Sequence, residues 1–490
     1  MTQSMMQSLS PLLIVAFGCV LSLLLIAWRR SQKLILAFTL AVFVCALFAS
    51  ISLVMNVTDV VQVTRLMKVD NYGNVAFILI LAASIVVGLL SSAWLTNSVE
   101  VHDEFFILLQ LVVLGAGVLV MSDHFASLFL GFELLSIALV GMVGYCRDSQ
   151  YSVESSFKYL ILSASASSFM LLGIAFIYSQ SGSLSFAAQA EPVYSLFYSS
   201  GILLFLVGIA FKLSLAPFHL WTPDVYQGAP TPVTLLLATV SKIAMFVVLM
   251  KFWFSQSSLI ANDNSVISTL HLMSALAILS MLIGNILALK QQNIKRLLAY
   301  SSIAHMGYLL IVLMIISPQS VDFASQSALF YLAAYVLATV SLFIVLQFTQ
   351  YNHVNGERGT EQNISDWQGM FWTNRLLALL IIVAILSLAG IPLTAGFIGK
   401  FYVLNVAVQA QQWWLIAALI GGSGIGLFYY LRIVFTLFDG IAAEKKSGVE
   451  HSTVGSQLTP VVSVSVIMFT ILGVVLGVYP DLLVNVLINL

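Results

Sequence analysis

The sequence predicts an all-α polytopic membrane protein of about fourteen transmembrane helices, with two inverted five-helix repeats that each contain a broken helix. Three observations predict it. Of 490 residues, 60% are hydrophobic and 8% are charged, whereas soluble chains carry about 25% charged residues. Apolar runs of spanning length recur along almost the whole chain. Two of these runs are interrupted by proline and glycine beside a lysine, at 211–232 and at 390–400.

The same composition excludes several classes of function. A net charge of -1 gives no footprint for nucleic acid. Cys19, Cys45 and Cys146 are scattered without CxxC spacing, which argues against a disulfide framework, a zinc site or an iron–sulfur cluster. There is no GxGxxG after a strand and no P-loop. The chain is therefore expected to carry no metal, no cofactor and no redox site of its own.

The apolar runs lie at about 10–28, 34–55, 74–95, 104–121, 125–145, 158–179, 198–220, 232–253, 266–289, 299–316, 324–350, 376–408, 412–438 and 460–488, each near the roughly 20 residues a span needs. Residues 1–10 carry no basic side chain, and Arg29, Arg30 and Lys33 follow the first run. That order is the reverse of a signal peptide, so the first helix is expected to be retained with its N-terminus outside. The inside loops then hold Arg29, Arg30, Lys33, Arg147, Lys290, Lys295, Arg296, Arg358, Arg375, Lys445 and Lys446, against Arg65 and Lys68 outside, with Lys251 at a helix end. Both termini are expected outside.

The run 376–408 is too long for one straight span and holds Gly390, Pro392, Gly396, Gly399 and Lys400. It parallels the earlier interruption, where Lys212 precedes Pro217, and the tetrapeptide LSLA occurs at 213–216 and again at 386–389. The interrupted helix is fourth in 104–253 and fourth again in 266–438. An odd number of helices inserts the second copy upside down, and paired broken helices bearing cations point to a transport site near the midplane. The expected organisation is 1–100 for the first three helices, 104–253 and 266–438 for the repeats, and 460–490 for the last helix.

Charges at helix centres cost about 2.5–3.5 kcal/mol each on insertion scales. Glu133, Lys212 and Lys242 are all mid-span, so they must pair or line a hydrated path. Lys400 follows the second break. Lys158 sits at the inner end of its span with Glu154 four residues earlier, which is also an ordinary helix ion pair. His219 and His305 lie near the breaks or inner helix ends, and are either satisfied polar residues or relay groups. Lys290, Lys295 and Arg296 serve topology, although Lys295 could edge a proton entrance. Arg432 pairs with a carboxylate or faces an inner loop. Desolvation lowers a lysine's pKa and a nearby carboxylate raises it, so a lysine whose acidic partner moves can take up and release a proton. A switchable proton path needs this set of residues.

The segment FKLSLAPFHLWTPDVYQGAPTPVTLLLATVSKIA (211–244), with NIKRLLAYSSIAHMGY (293–308), resembles the core of the antiporter-like membrane subunits of respiratory complex I, which are related to subunits of multi-subunit Na+/H+ antiporters. The resemblance covers roughly 75–430 of the chain. It implies a proton-translocating subunit of an NADH:quinone oxidoreductase, in the bacterial inner membrane with both termini periplasmic. It makes Glu133 the charge-coupling acid, Lys212 the central proton-accepting lysine, Lys242 the connecting lysine and Lys400 the lysine of the second half. Lys158 joins the charge set. From the residues themselves, His219, His305 and Lys295 stay possible relays, and Pro217 and Pro392 mark the helix breaks. NADH, flavin, iron–sulfur clusters and quinone belong to other subunits. The implied partners are the antiporter-like M subunit, the small K and J subunits and the lipid bilayer. Within the family, a lysine stands on the second interrupted helix where M-type members usually have a glutamate. The chain also stops after its last span, without the lateral helix expected of L-type members. Two other readings stay open: a subunit of a multi-subunit Na+/H+ antiporter, and a non-pumping membrane-arm subunit whose charges only join helices.

Overall fold

The computed structural model describes residues 3–56, 60–98, 103–147, 149–187, 196–256, 264–315, 320–350, 363–439 and 460–488. Arg358, Lys445 and Lys446 of the predicted inside loops lie outside these residues. The described chain is nearly all helical, with one two-residue antiparallel pair, Val61–Gln62 against Lys68–Val69. In order the helices are α1 (Gln3–Ser8), α2 (Ser10–Trp28), α3 (Gln32–Asn56), α4 (Asn71–Ser98), α5 (Asp103–Val120), α6 (Phe125–Val143) and α7 (Gln150–Ser181). Then come α8 (Leu196–Leu213), α9 (Trp221–Gly228), α10 (Thr231–Ala238), α11 (Val240–Ser255), α12 (Asn264–Leu289), α13 (Ile294–Leu310) and α14 (Val321–Gln350). The chain closes with α15 (Met370–Thr373), α16 (Arg375–Ala389), α17 (Ala395–Gln409), α18 (Trp413–Phe438), α19 (Pro460–Val478) and α20 (Asp481–Ile488).

Among the described residues 12 helices are long and apolar enough to cross a membrane, or 13 if α19 and α20, bent by 84°, count as one span. The remaining predicted run, 376–408, is divided into α16 and α17 of 15 residues each, both shorter than the roughly 20 needed to cross alone. With it the count reaches the predicted fourteen. The predicted run 198–220 is also cut: its helix stops at Leu213 and a short helix resumes at Trp221. This is a multi-pass membrane protein with a broken helix in each half.

Burial sorts the helices. The middle of the span Thr231–Ser255 and of the span Val321–Thr349 is fully enclosed, and that of Ile294–Met314 nearly so. α2, α3, α7 and α18 keep much of their apolar surface outward. Between helices in lipid, packing relies on close backbone approach at small residues. α7 and α8 meet this way: a Cβ on Gly173 would lie 2.5 Å from the Phe205 nitrogen and 2.6 Å from the Gly201 carbonyl oxygen. That crossing brings the side chains of α7 against the end of α8, where the first break begins.

Candidate functional site

The two broken helices end alike. At the end of α8 the Leu215 N–H donates to the Ala210 carbonyl at 2.8 Å and the Ser214 N–H to Phe211 at 3.0 Å. At the end of α16 the Ile391 N–H donates to Leu386 and the Gly390 N–H to Ser387, both at 3.0 Å. Both are Schellman closures, which need one left-handed residue: Ser214 at φ 61° and Gly390 at φ 80°. Pro217 and Pro392 therefore do not begin the breaks; they follow them and stop the helix from resuming. The repeated LSLA does not keep this register, since 213–216 runs through the first break and 386–389 ends before the second. A left-handed serine costs about 1–2 kcal/mol where glycine would not. Its hydroxyl offsets that by accepting hydrogen bonds from Thr222 Oγ1 at 2.6 Å and from the Lys242 ammonium.

A helix end exposes unpaired carbonyls and about half a negative charge. Cations stand on several such ends. Lys242 Nζ donates to the Lys212 carbonyl at 3.2 Å, closing α8. Lys400 Nζ donates to the Ala389 carbonyl at 2.8 Å, closing α16. Lys295 Nζ donates to the Ala229 carbonyl at 3.0 Å, closing α9. Arg432, left open by the sequence, donates to Leu289 at 3.0 Å and Gln291 at 2.6 Å beyond α12. Lys251 donates to Val120 at 2.6 Å beyond α5 and pairs with Asp70 at 2.9 Å. The buried positive charges are thus tolerable because helix dipoles and free carbonyls meet them.

Lys212 is held differently. Fully buried, it reaches across to α6 and α7, donating to Ser136 Oγ at 2.7 Å and to the Tyr159 hydroxyl at 2.6 Å. Its ammonium also faces the rings of Phe132 and Tyr159 at 5.1 and 4.9 Å. Glu133 lies one turn before Ser136 on the same face of α6, and its Oε1 is buried without a hydrogen-bond partner. No ion pair joins it to Lys212 among the described residues. An acid and a base thus face the same stretch of α6 without a direct ion pair between them. Lys242 completes the group, with its ammonium over the Trp221 ring at 5.6 Å, and the break itself is pinned by the Ala216 N–H donating to Ser280 Oγ at 2.9 Å.

The second break has other company. Lys400 faces the Tyr308 ring at 5.2 Å. Asn285 Nδ2 donates to the Tyr308 hydroxyl at 2.9 Å, and the Tyr429 hydroxyl donates to Asn285 Oδ1 at 3.1 Å. His305 lies between two phenols, with Nδ1 2.6 Å from Tyr331 and Nε2 3.2 Å from Tyr430, which also contacts the Ser301 hydroxyl. Tyr335 donates to Ser302 Oγ at 3.0 Å. A cavity of about 10 Å³ lined by His305, Tyr331, Tyr335 and Ser387 is close to the volume that one water needs. Among the described residues no carboxylate pairs with Lys400.

Of the other predicted residues, Lys158 makes the anticipated pair with Glu154 at 2.7 Å and a second with Asp224 at 3.0 Å. His219 is buried, but its ring faces Tyr300 with centroids 6.5 Å apart, and Nδ1 makes no hydrogen bond. It hydrogen-bonds the Pro217 backbone at the first break, and among the described residues no hydrogen bond joins it to a lysine. Sequence reasoning missed Ser136, Tyr159, Ser214, Asn285, Tyr331, Tyr430 and Asp224. Hydroxyls and phenols are common in apolar helices and nothing in their spacing marks these; Asp224, an acid inside the first interrupted segment, was the one available signal. Among the described residues no group of three His, Cys, Asp or Glu side chains could hold a metal ion.

A bundle with two lysine-capped helix breaks defines an antiporter-like membrane subunit. Residues 122–426 match the family described as the NADH:quinone oxidoreductase/Mrp antiporter transmembrane family, and the chain belongs to it. A chain of respiratory complex I from Thermus thermophilus, in a structure with bound aureothin, is 30% identical with a TM-score of 0.80, the match covering 97% of this chain and 98% of that one. Two further structures share the fold. One is a chain of an archaeal membrane-bound sulfane sulfur reductase, with TM-score 0.84, 21% identity and coverage of 99% and 96%. The other belongs to the Mrp complex from a Dietzia species, with TM-score 0.84, 18% identity and coverage of 100% and 97%.

Proposed function

We propose that this chain is the N-type proton-translocating subunit of a bacterial NADH:quinone oxidoreductase. Electrons pass from NADH through flavin and iron–sulfur clusters to quinone in other subunits, and this chain carries no redox step. Its own chemistry is proton transfer: water on the inside gives a proton to a lysine amine, and the ammonium later gives it to water outside. The observation that carries the reading is Lys212, buried beside a carboxylate with which it is not paired. Closing the Glu133–Lys212 gap favours the charged lysine, and opening it favours release. Moving one charge against 100 mV takes about 2.3 kcal/mol, a size within reach of one buried ion pair made and broken. Lys242 and Lys400 then continue the path, with His305 and its phenols between the halves. The N assignment is supported by LFLGFELLSIALVGMVGY (128–145) around Glu133, by a lysine at position 400, and by the 30% identity to a complex I chain.

The same reading makes 104–253 and 266–438 the two inverted repeats, puts both termini in the periplasm, and places the chain against M-, K- and J-type neighbours in the inner membrane. A cytoplasm-dependent reporter fused after Leu490 is then silent; strong activity there contradicts the topology. The second reading, a subunit of an Mrp-type Na+/H+ antiporter, is favoured by the equally good fold match to the Mrp complex. Purification of the tagged chain in mild detergent separates them. Co-elution with flavin and iron–sulfur absorbance and NADH–quinone activity supports the first; a flavin-free complex that exchanges Na+ for protons supports the second.

A further inference from the structure

Asp224 stands at the hub of a charge cluster that no role assigned so far uses. It lies in the first turn of α9, the short second half of the first broken helix. Its two carboxylate oxygens serve different helices: Oδ1 accepts from Arg296 Nη1 of α13 at 2.6 Å, and Oδ2 accepts from Lys158 Nζ of α7 at 3.0 Å. Arg296 Nη1 also donates to Gln227 Oε1 at 3.1 Å, and Ser155 Oγ to the Asp224 carbonyl at 3.1 Å. Eight residues are too few to hold a helix by themselves, so α9 keeps its place through burial of Trp221, Thr222, Val225 and Tyr226 together with these straps and the Lys295–Ala229 contact.

What α9 carries explains why its place matters. Three residues before Asp224, the Trp221 indole N–H donates to the Phe211 carbonyl at 3.0 Å. The Trp221 ring packs on Tyr159 and faces Lys242. Thr222 donates to Ser214, the hydroxyl that also receives Lys242. A shift of α9 therefore moves the groups around both buried lysines of the first break.

We propose that Asp224 is a positioning residue: bridging Lys158 and Arg296, it clamps α9 between α7 and α13 and so sets the geometry at Lys212 and Lys242. Lys158 then acts through the clamp, not as a separate proton carrier. The effect on transport rests on the proton-translocating reading; the clamp itself does not.

The test uses the intact membrane complex containing this chain, normalised to assembled complex. Hydrogen exchange of amides 221–229 is measured alongside proton translocation per electron pair. Asp224→Asn is expected to raise that exchange and to lower translocation to about a third, and Asp224→Glu, which can still bridge, to restore most of both. Lys158→Gln is expected to lower translocation by about half alone and to add nothing in the Asp224→Asn background. Unchanged exchange in Asp224→Asn overturns the clamp whatever the chain transports. A full, additive Lys158→Gln effect in the double variant overturns the assignment of Lys158 to it.

Discussion

At the first break Lys212 and Lys242 are completely buried and a carboxylate stands one turn from the hydroxyl that holds Lys212. At the second, Lys400 is partly exposed and its surroundings are phenols, an amide and an imidazole, with no paired carboxylate among the described residues. The backbone closure is the same at both, yet the lysine that caps it comes from a different place. Lys242 reaches in from α11, whereas Lys400 folds back from the second half of its own helix. The difference separates two tasks. A helix break with a lysine on its carbonyl end is a way to keep a cation at membrane depth. Among the described residues only the first site has an unpaired acid beside a further lysine, and in the proposed function that acid is what changes the lysine's proton affinity. The second site offers a run of hydroxyls around His305 and, among the described residues, no carboxylate on Lys400.

Removing the acid should have the largest effect. Glu133→Gln leaves the first site resembling the second, and is expected to cut proton translocation about tenfold, the factor given by roughly 1.4 kcal/mol. Glu133→Asp should retain more. Vesicle acidification per NADH oxidised reads both, and wild-type pumping in Glu133→Gln would erase the contrast between the sites.

Exchanging the left-handed residues comes next. A Cβ on Gly390 would lie 2.7 Å from Lys400 Cδ, and the left-handed backbone adds about 1–2 kcal/mol. Gly390→Ser should therefore lower both the thermal stability of the assembled complex and its translocation. Ser214→Gly does the opposite to the backbone, relieving it, but deprives Lys242 and Thr222 of their acceptor. Stability should hold while translocation falls by about half, because Lys242 keeps the Lys212 carbonyl and water takes up most of the lost contact. If both variants behave alike, the two breaks are interchangeable.

The smallest effect is expected at the phenols. Tyr331→Phe removes one of two hydroxyls at His305, and Tyr430 with a water in the adjoining cavity can substitute. A loss of less than about twofold in translocation is expected; abolition would make the second site as singular as the first.

The bundle, the two broken helices and the buried charges were legible because lipid imposes length, hydrophobicity and charge rules on the sequence. Glu133, Lys212 and Lys242 stood out because nothing polar belongs there without reason. The breaks were visible through Pro217 and Pro392, but their starting points were not. A serine in left-handed backbone has no sequence mark, and LSLA suggested a register that the closures at Ser214 and Gly390 do not share. The partners of the lysines were illegible for a related reason. Backbone carbonyls such as those of Lys212, Ala229 and Ala389 belong to every residue, so only the fold says which are free. Tyr159 looks like an ordinary helix residue until the Gly173–Gly201 crossing brings α7 against α8, and Ser136 until α6 packs against the same break.

The central claim is that the lysines at both breaks give up protons during turnover, rather than serving only as fixed positive charges. Arginine keeps the charge and can still cap a carbonyl, but it does not release its proton. The decisive measurement is proton translocation per NADH oxidised in vesicles carrying Lys212→Arg or Lys400→Arg, normalised to assembled complex. Both variants should assemble and translocate less than about a third of the wild-type ratio, Lys212→Arg the lower because the acid beside it then has nothing to switch. Wild-type ratios in both would mean that neither lysine releases a proton, and that the two breaks hold charge without moving it.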